Sequence, residues 1–301
     1  LQKTSDGTYA YEIRVVRSSD RGRTWSAPVV PHTDGTATEH GFVAMLPAGG
    51  ERVRLVWLDG RETAVGGHGH GGHDHGADAP MTLRTAVLDR AGNLHEEAEL
   101  DASTCSCCQT DAVRVGARSV FAYRDVAEGN LRNIHAIAHA DGTWSADRAI
   151  HDDGWRIAGC PVNGPALASD GRAVLALWPT MRDDRLVVRM AVDRGGGYSE
   201  PVDLEAEPGT IGRVDAAAWP GGRWLAAWIG AGTEPGASVL RLAEIGAEPA
   251  VTRTHDLVHL PPGRATGVPR LAAEAGVGLM AWVDATGAAP TVRAMRIAQA
   301  E

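Results

Sequence analysis

Apolar and polar residues alternate over short stretches along nearly the whole chain, with a turn signal after each stretch. Tyr11–Val16 is one such stretch, and it runs directly into Ser18-Ser19-Asp20-Arg21-Gly22-Arg23-Thr24-Trp25-Ser26. A period of two with β-branched residues and Gly/Asp/Asn punctuation predicts strands joined by tight turns. An Asp side chain accepts hydrogen bonds from turn N–H groups, and a Gly two residues on adopts positive φ without steric penalty. The spacing therefore predicts a β-hairpin turned by Asp20 and Gly22, with Trp25 opening the next strand and burying its ring. Weaker copies stand at Asp141-Gly142-Thr143-Trp144, at Asp193-Arg194-Gly195-Gly196-Gly197-Tyr198 and at Asp89-Arg90-Ala91-Gly92.

Two markers repeat with the strands. An apolar–basic step recurs at Arg14, Arg84, His135, Arg189, Arg241 and Arg293, with offsets of 70, 51, 54, 52 and 52 residues. An aromatic recurs at Trp57, Tyr123, Trp178, Trp228 and Trp282, with offsets of 66, 55, 50 and 54. Both series stretch at one place, where residues 62–80 form a His/Gly-rich insertion. A period near 50 residues, each with about four short strands, predicts an all-β six-bladed β-propeller as a single domain over 1–301. The phase of the markers places residue 1 near the end of the second strand of blade one. A truncated first blade is the expectation, with a preceding segment supplying the last outer strand. The alternative is a natural five-and-a-half-blade chain with unpaired sheet edges.

The Asp turns, at S-x-D-x-G-x-T-W spacing, resemble the Asp-box (BNR) repeats of the sialidase, or neuraminidase, superfamily, which implies the sialidase type of propeller. The combination Cys105-Ser106-Cys107-Cys108-Gln109-Thr110 with Gly159-Cys160-Pro161-Val162-Asn163-Gly164 is similar to a group of bacterial exported sialidase-like propellers. That resemblance implies export, as a periplasmic, secreted or lipid-anchored protein, while the Asp-box resemblance implies a carbohydrate-directed function, either an exo-sialidase-type glycoside hydrolase or a glycan-binding relative. Sialidases hold a substrate carboxylate with three arginines; Arg213 and Arg270 match by position, and Arg124 is a weaker third. They also use a late-blade Tyr nucleophile, whereas the tyrosines here are Tyr9, Tyr11, Tyr123 and Tyr198, none of them after blade four. The standard retaining mechanism therefore has no nucleophile to carry it.

On the propeller face shared by the links between blades, several groups carry possible chemistry. Glu39 and His40 form an acid/base or metal pair, or a polar cap on an inner strand. Asp59 and Asp125 end second strands beside Arg61 and Arg124; they are general-acid candidates, or they close their own loops. Arg61, Trp155 and Asn163 extend the candidate ligand contacts. Cys105, Cys107, Cys108 and Cys160 lie on neighbouring links. They form disulfide staples, a thiolate site for copper or zinc with His40 and the insertion's histidines, or a redox pair. His68, His70, His73 and His75 sit in the Gly-rich run and favour transition metals.

Composition narrows the field. The formal net charge is −9, which argues against nucleic acid or an anionic membrane as main partner. No apolar run is long enough to span a bilayer. A glycan, another small anionic ligand or a docked protein remain as partners.

Overall fold

The computed structural model describes residues 2–3, 9–64, 81–234, 236–261 and 266–299. The described chain is all-β and forms six antiparallel sheets in chain order. The first pairs β1 (Gln2–Lys3) with β2 (Tyr11–Glu12). The second is a meander of β3 (His40–Pro47), β4 (Val53–Asp59), β5 (Met81–Leu88) and β6 (Leu94–Thr104). The third holds β7 (Asp111–Val115), β8 (Arg118–Arg124) and β9 (Ile134–Ala140), with β10 (Thr143–Trp144) and β11 (Arg148–Ala149) both on β9. The fourth runs β12 (Ala166–Ser169), β13 (Val174–Arg182), β14 (Arg185–Asp193), β15 (Val202–Glu205). The fifth runs β16 (Gly212–Trp219), β17 (Arg223–Ala231), β18 (Ser238–Ile245), β19 (Val251–Leu260). The sixth contains β20 (Arg270–Glu274), β21 (Val277–Asp284) and β22 (Thr291–Ala298).

Each sheet packs on the next. The first strands β3, β7, β12, β16 and β20 touch their successors in that order. The apolar core divides the same way. Ile13 of the first sheet's arm meets Leu55 and Trp57, Leu58 meets Phe121 and Tyr123, Val120 meets Trp178, Leu177 meets Trp228, and Leu225 meets Met280. Strands β13 and β17 are buried almost end to end because both of their faces are covered by neighbouring sheets.

The two repeating markers prove to be cross-strand partners. Trp57 faces Arg84, Tyr123 faces His135, Trp178 faces Arg189, Trp228 faces Arg241 and Trp282 faces Arg293. A carboxylate from the preceding sheet or its outgoing link meets three of these pairs. Asp101 accepts from the Tyr123 hydroxyl. Asp153 accepts from Trp178 Nε1 and Arg189, and Glu205 from Trp228 Nε1 and Arg241. These acceptors satisfy the indole N–H groups of Trp178 and Trp228, whereas the Nε1 of the marker Trp282 has no partner among the described residues.

At the Asp20 turn, Asp20 Oδ1 accepts from the amides of Arg23 and Thr24 at 3.0 and 2.9 Å, and Gly22 has φ of 83°. Asp193 accepts from the amides of Gly195 and Gly197 in the turn between β14 and β15. Asp141 lies at positive φ between β9 and β10, and Trp144 of that turn packs on Phe121, His139 and the Arg54 guanidinium. Trp25 departs from expectation. It opens no described strand, the nearest pairing being the isolated Val15–Val29 bridge, and it is 59% exposed.

Candidate functional site

The link from β6 to β7 and the link from β11 to β12 lie against each other. The close approach depends on Gly164. A Cβ there would stand 2.0 Å from the Gln109 carbonyl oxygen, so no side chain fits. Gln109 Oε1 accepts from the Gly164 amide at 2.9 Å, and Gln109 Nε2 donates to the Gly164 carbonyl at 3.3 Å. Cys107 and Cys160 form a disulfide across the same seam. Asn163 ties the seam to the fifth sheet, donating to the Ile211 carbonyl and accepting from the Arg213 amide.

Cys105 and Cys108 are unpaired thiols, each 1% exposed, with their Sγ atoms 3.4 Å apart. Cys105 Sγ also lies 3.7 Å from Cys107 Sγ and accepts from Arg132 Nη1 at 3.2 Å. The hydrogen bond from Cys108, assisted by the Cys107 amide and the positive charge of Arg132, outweighs burial and draws the Cys105 thiol down to about 6. Burial pushes the Cys108 thiol well above its ordinary value, and a neighbouring thiolate adds to that. The four sulfurs thus meet, as the propeller reading expects, but in unequal states. Cys107 and Cys160 staple the two links and offer no thiolate, while Cys105 and Cys108 keep unpaired sulfurs, of which only that of Cys105 is drawn towards the thiolate.

The expected ligand-binding side chains are mostly turned inward. Arg124 is 1% exposed and donates to the carbonyls of Asn163, Arg132 and Pro179. Its guanidinium lies 4.8 Å from the Trp155 ring centroid, and Trp155 is itself buried. Arg213 is buried and donates to the Gly267 carbonyl. Arg61 grips Asp59 through Nε and Nη2, both at 2.8 Å. Arg270 opens β20 and is exposed; its charge reaches Asp111 and Asp215. The expectation of arginines presented together to a substrate carboxylate therefore meets a simple obstacle: Arg61, Arg124 and Arg213 already hold protein oxygens.

Asp59 is fully buried. Burial alone would raise its carboxyl, but hydrogen bonds from Arg61 and Trp57 overcome this and hold it below the ordinary range. It closes its own loop and has no proton to give near neutrality. Asp125 is different: burial raises it to about 6, with His135 Nε2 at 3.6 Å. Burial also raises Glu39 to about 7.

A second cluster surrounds His40. His32, Asp34 and His40 cluster together, and the two imidazoles line a cavity of about 440 Å³ with Tyr11, Glu12, Thr33 and Thr36. His32 and Asp34 escape sequence reasoning, because they sit in a link without strand periodicity. The only signal is three potential ligands within nine residues, His-x-Asp followed by His. Arg132, the cation beside Cys105, is missed for the same reason. His68, His70, His73 and His75 lie outside the described residues. No helix among the described residues is long and apolar enough to cross a membrane.

Comparison with known proteins adds little to this geometry. No protein-family model matches the sequence, and no curated protein does. Several solved structures share the chain's course at low identity. The α-L-arabinofuranosidase PaAbf62A from Podospora anserina, in complex with cellotriose, is 10% identical over 86% of this chain and 90% of its own, with a TM-score of 0.46. A structure from the GH130 family, described for glycoside hydrolases that target β-1,2 mannosidic linkages in Candida mannan, is 9% identical over 97% and 96%, with a TM-score of 0.47. The Bombyx mori GH32 β-fructofuranosidase BmSUC1 is 10% identical over 81% of this chain and 60% of its own, with a TM-score of 0.41.

Proposed function

We propose that this chain is an exported six-bladed propeller of the Asp-box type that binds a thiophilic metal ion on Cys105 and Cys108, copper(I) first and zinc(II) second. One observation carries the reading: two unpaired, buried thiols 3.4 Å apart, one of them held by an Arg132 N–H at 3.2 Å. Soft thiolates select copper(I) and zinc(II) over hard cations. The Cys107–Cys160 disulfide and the Gln109–Gly164 pair fix the loop that presents them, so the ligands are ordered before the ion arrives. The histidines of the insertion, His68 to His75, would act as a looser collecting site.

The test is competition for copper(I) against a chromophoric copper(I) chelator, anaerobically with ascorbate, which keeps the copper reduced and leaves the Cys107–Cys160 disulfide closed. The chain is expected to take one equivalent from the chelator, to lose that ability in Cys105→Ser and in Cys108→Ser, and to keep it when His68, His70, His73 and His75 are all alanine. Circular dichroism confirms that each variant is folded. Unchanged uptake in both serine variants, or substoichiometric copper in the parent, refutes the thiolate site.

A second reading is a carbohydrate-directed propeller. The cavity of about 440 Å³ favours it, because its lining mixes hydroxyl, imidazole and carboxylate groups of the kind that hold a polar small molecule. Fluorogenic glycosides, sialosides included, test the hydrolytic form of this reading. It predicts release of the leaving group, and the hydrolase is discarded if none appears at high protein concentration.

A further inference from the structure

The cavity wall at the start of the second sheet has the makings of a separate metal centre, built from nitrogen and oxygen rather than sulfur. His32 and Asp34 lie on the link that enters β3, and His40 is the first residue of β3. The His32 and His40 rings stack with centroids 3.8 Å apart and planes 2° from parallel, so both present an edge to the same point. That point is Asp34 Oδ2, which lies 3.0 Å from His32 Nδ1 and 3.1 Å from His40 Nε2. The other oxygen, Oδ1, is engaged by the Thr36 amide at 2.9 Å and by the Thr36 hydroxyl. Thr36 thereby sets the carboxylate's orientation and leaves Oδ2 for the imidazoles.

The hydrogen-bonding arithmetic at His40 calls for a cation. Its Nδ1 faces only carbonyl oxygens, those of Tyr11 and Thr38, each at 3.3 Å, so Nδ1 carries a proton and donates. In the neutral ring Nε2 is then a lone pair, yet it faces the carboxylates of Asp34 at 3.1 Å and Asp59 at 3.6 Å. A proton on Nε2, or a metal ion in its place, supplies the positive charge this contact needs. Arg61 supplies one positive charge to this pair of carboxylates, and its Nε and Nη2 are directed to Asp59, with Asp34 Oδ2 farther away at 3.4 Å. Two carboxylates against one guanidinium leave a net charge of about −1 in a buried site. His32, whose side chain is only 6% exposed, turns its Nδ1 to the same carboxylate oxygen.

We propose that His32, Asp34 and His40 bind a divalent transition-metal ion of the zinc, cobalt or nickel class, with a fourth position open to the cavity. The three ligand atoms lie within 4.8 Å of one another. Ligand-to-ligand edges of 3.0 and 3.1 Å are close to the roughly 3.3 Å expected around a tetrahedral ion with bonds near 2 Å. Two imidazoles and one carboxylate suit borderline metals, not calcium or magnesium and not copper(I). The carbonyls of Tyr11 and Thr38 behind His40 Nδ1, and Thr36 behind Asp34, are the outer partners that orient such ligands. Three protein ligands with an open place is the pattern of a site that holds water or a small oxygen-donor ligand. This site is independent of the thiolate reading, since it uses none of its residues.

The experiment uses the full chain with Cys105 and Cys108 changed to serine and His68, His70, His73 and His75 changed to alanine, which removes the other ligands. Cobalt(II) is titrated in and followed by visible absorption. One equivalent is expected to bind, with the ligand-field bands of a four- or five-coordinate nitrogen/oxygen site and no thiolate charge-transfer band. Asp34→Asn is expected to weaken binding by more than about a hundredfold, and Thr36→Ala, which removes only an orienting hydroxyl, by about tenfold. Thermal melts without metal establish that each variant is folded; if Asp34→Asn does not fold, Thr36→Ala alone decides. A folded parent that takes up no cobalt overturns the proposal. So does cobalt held with equal affinity by the parent and by the folded variants.

Discussion

Asp111 and Asp215 perform the same task two sheets apart. Asp111 opens β7 and Asp215 lies inside β16, and each uses one carboxylate oxygen to accept the amide of a residue on the next sheet's first strand, Leu167 or Leu271, at 2.7 Å. Each uses the other oxygen for the amide one residue on. Both carboxyls are buried deeply enough that desolvation outweighs these amides, raising Asp111 to about 7 and Asp215 to about 6. Asp111 also feels the charge of Asp215, and Arg270 opposes both shifts. The sign of the linkage follows. A carboxyl whose folded value is raised binds its proton more tightly in the native state. Its stabilising effect is complete below the unfolded value and is lost as pH rises toward the folded one. From about pH 4 up to the folded value, about 7 for Asp111 and about 6 for Asp215, each group should lower stability by up to about 1.4 kcal/mol per pH unit. Asp111→Asn should lose about 1 kcal/mol at acid pH, from one amide left without an acceptor. It should also melt with a shallower pH dependence than the parent across pH 5 to 7.5. Parallel melting curves for parent and variant over that range would show that Asp111 is ionised throughout.

At the scale of strands, much was legible and the reasons are local. The aromatic and basic markers recur because they are cross-strand neighbours in one repeated sheet, as the pairs Trp178–Arg189 and Trp228–Arg241 show. Burial on both faces of a second strand demands a large apolar ring, and the register then places the guanidinium opposite it. The Asp20 and Asp193 turns were legible because Asp and Gly at fixed spacing specify backbone geometry almost by themselves. What stayed hidden is long-range. Asn163 and Arg124 look like polar residues offered to a ligand, yet they satisfy backbone groups where two links meet. Nothing local distinguishes an arginine that will meet a substrate from one that will hold three carbonyls. Trp25 errs the other way: the turn motif is intact, yet the chain after it pairs, among the described residues, only at the Val15–Val29 bridge and leaves the ring exposed. Asp34 was hidden because its role comes from folding its link back onto β3 and β4.

For the molecule as a whole, the sheets are held in sequence by contacts between neighbours, and such an assembly is weakest where two sheets meet through little apolar area. Where the second, third and fourth sheets follow one another, three devices lie side by side: the apolar seam, the Gln109–Gly164 pair and the Cys107–Cys160 bond. The disulfide spans 53 residues and encloses nearly the whole third sheet. A cross-link of that span limits the unfolded chain and is worth about 2–4 kcal/mol. It also holds the loop that carries Cys105 and Cys108, so its loss should disorder the thiol pair before the sheets separate. Replacing both Cys107 and Cys160 by serine is therefore expected to lower the melting temperature by several degrees and to make melting indifferent to reductant. The parent should fall to the variant's melting temperature when reductant is added. The same variant should bind copper(I) more weakly than the parent held oxidised at this bond, because its ligands must be ordered by the ion itself. Equal melting temperatures with and without reductant would mean that the links are held by Gln109, Gly164 and the apolar seam alone, and that the disulfide contributes nothing to the junction.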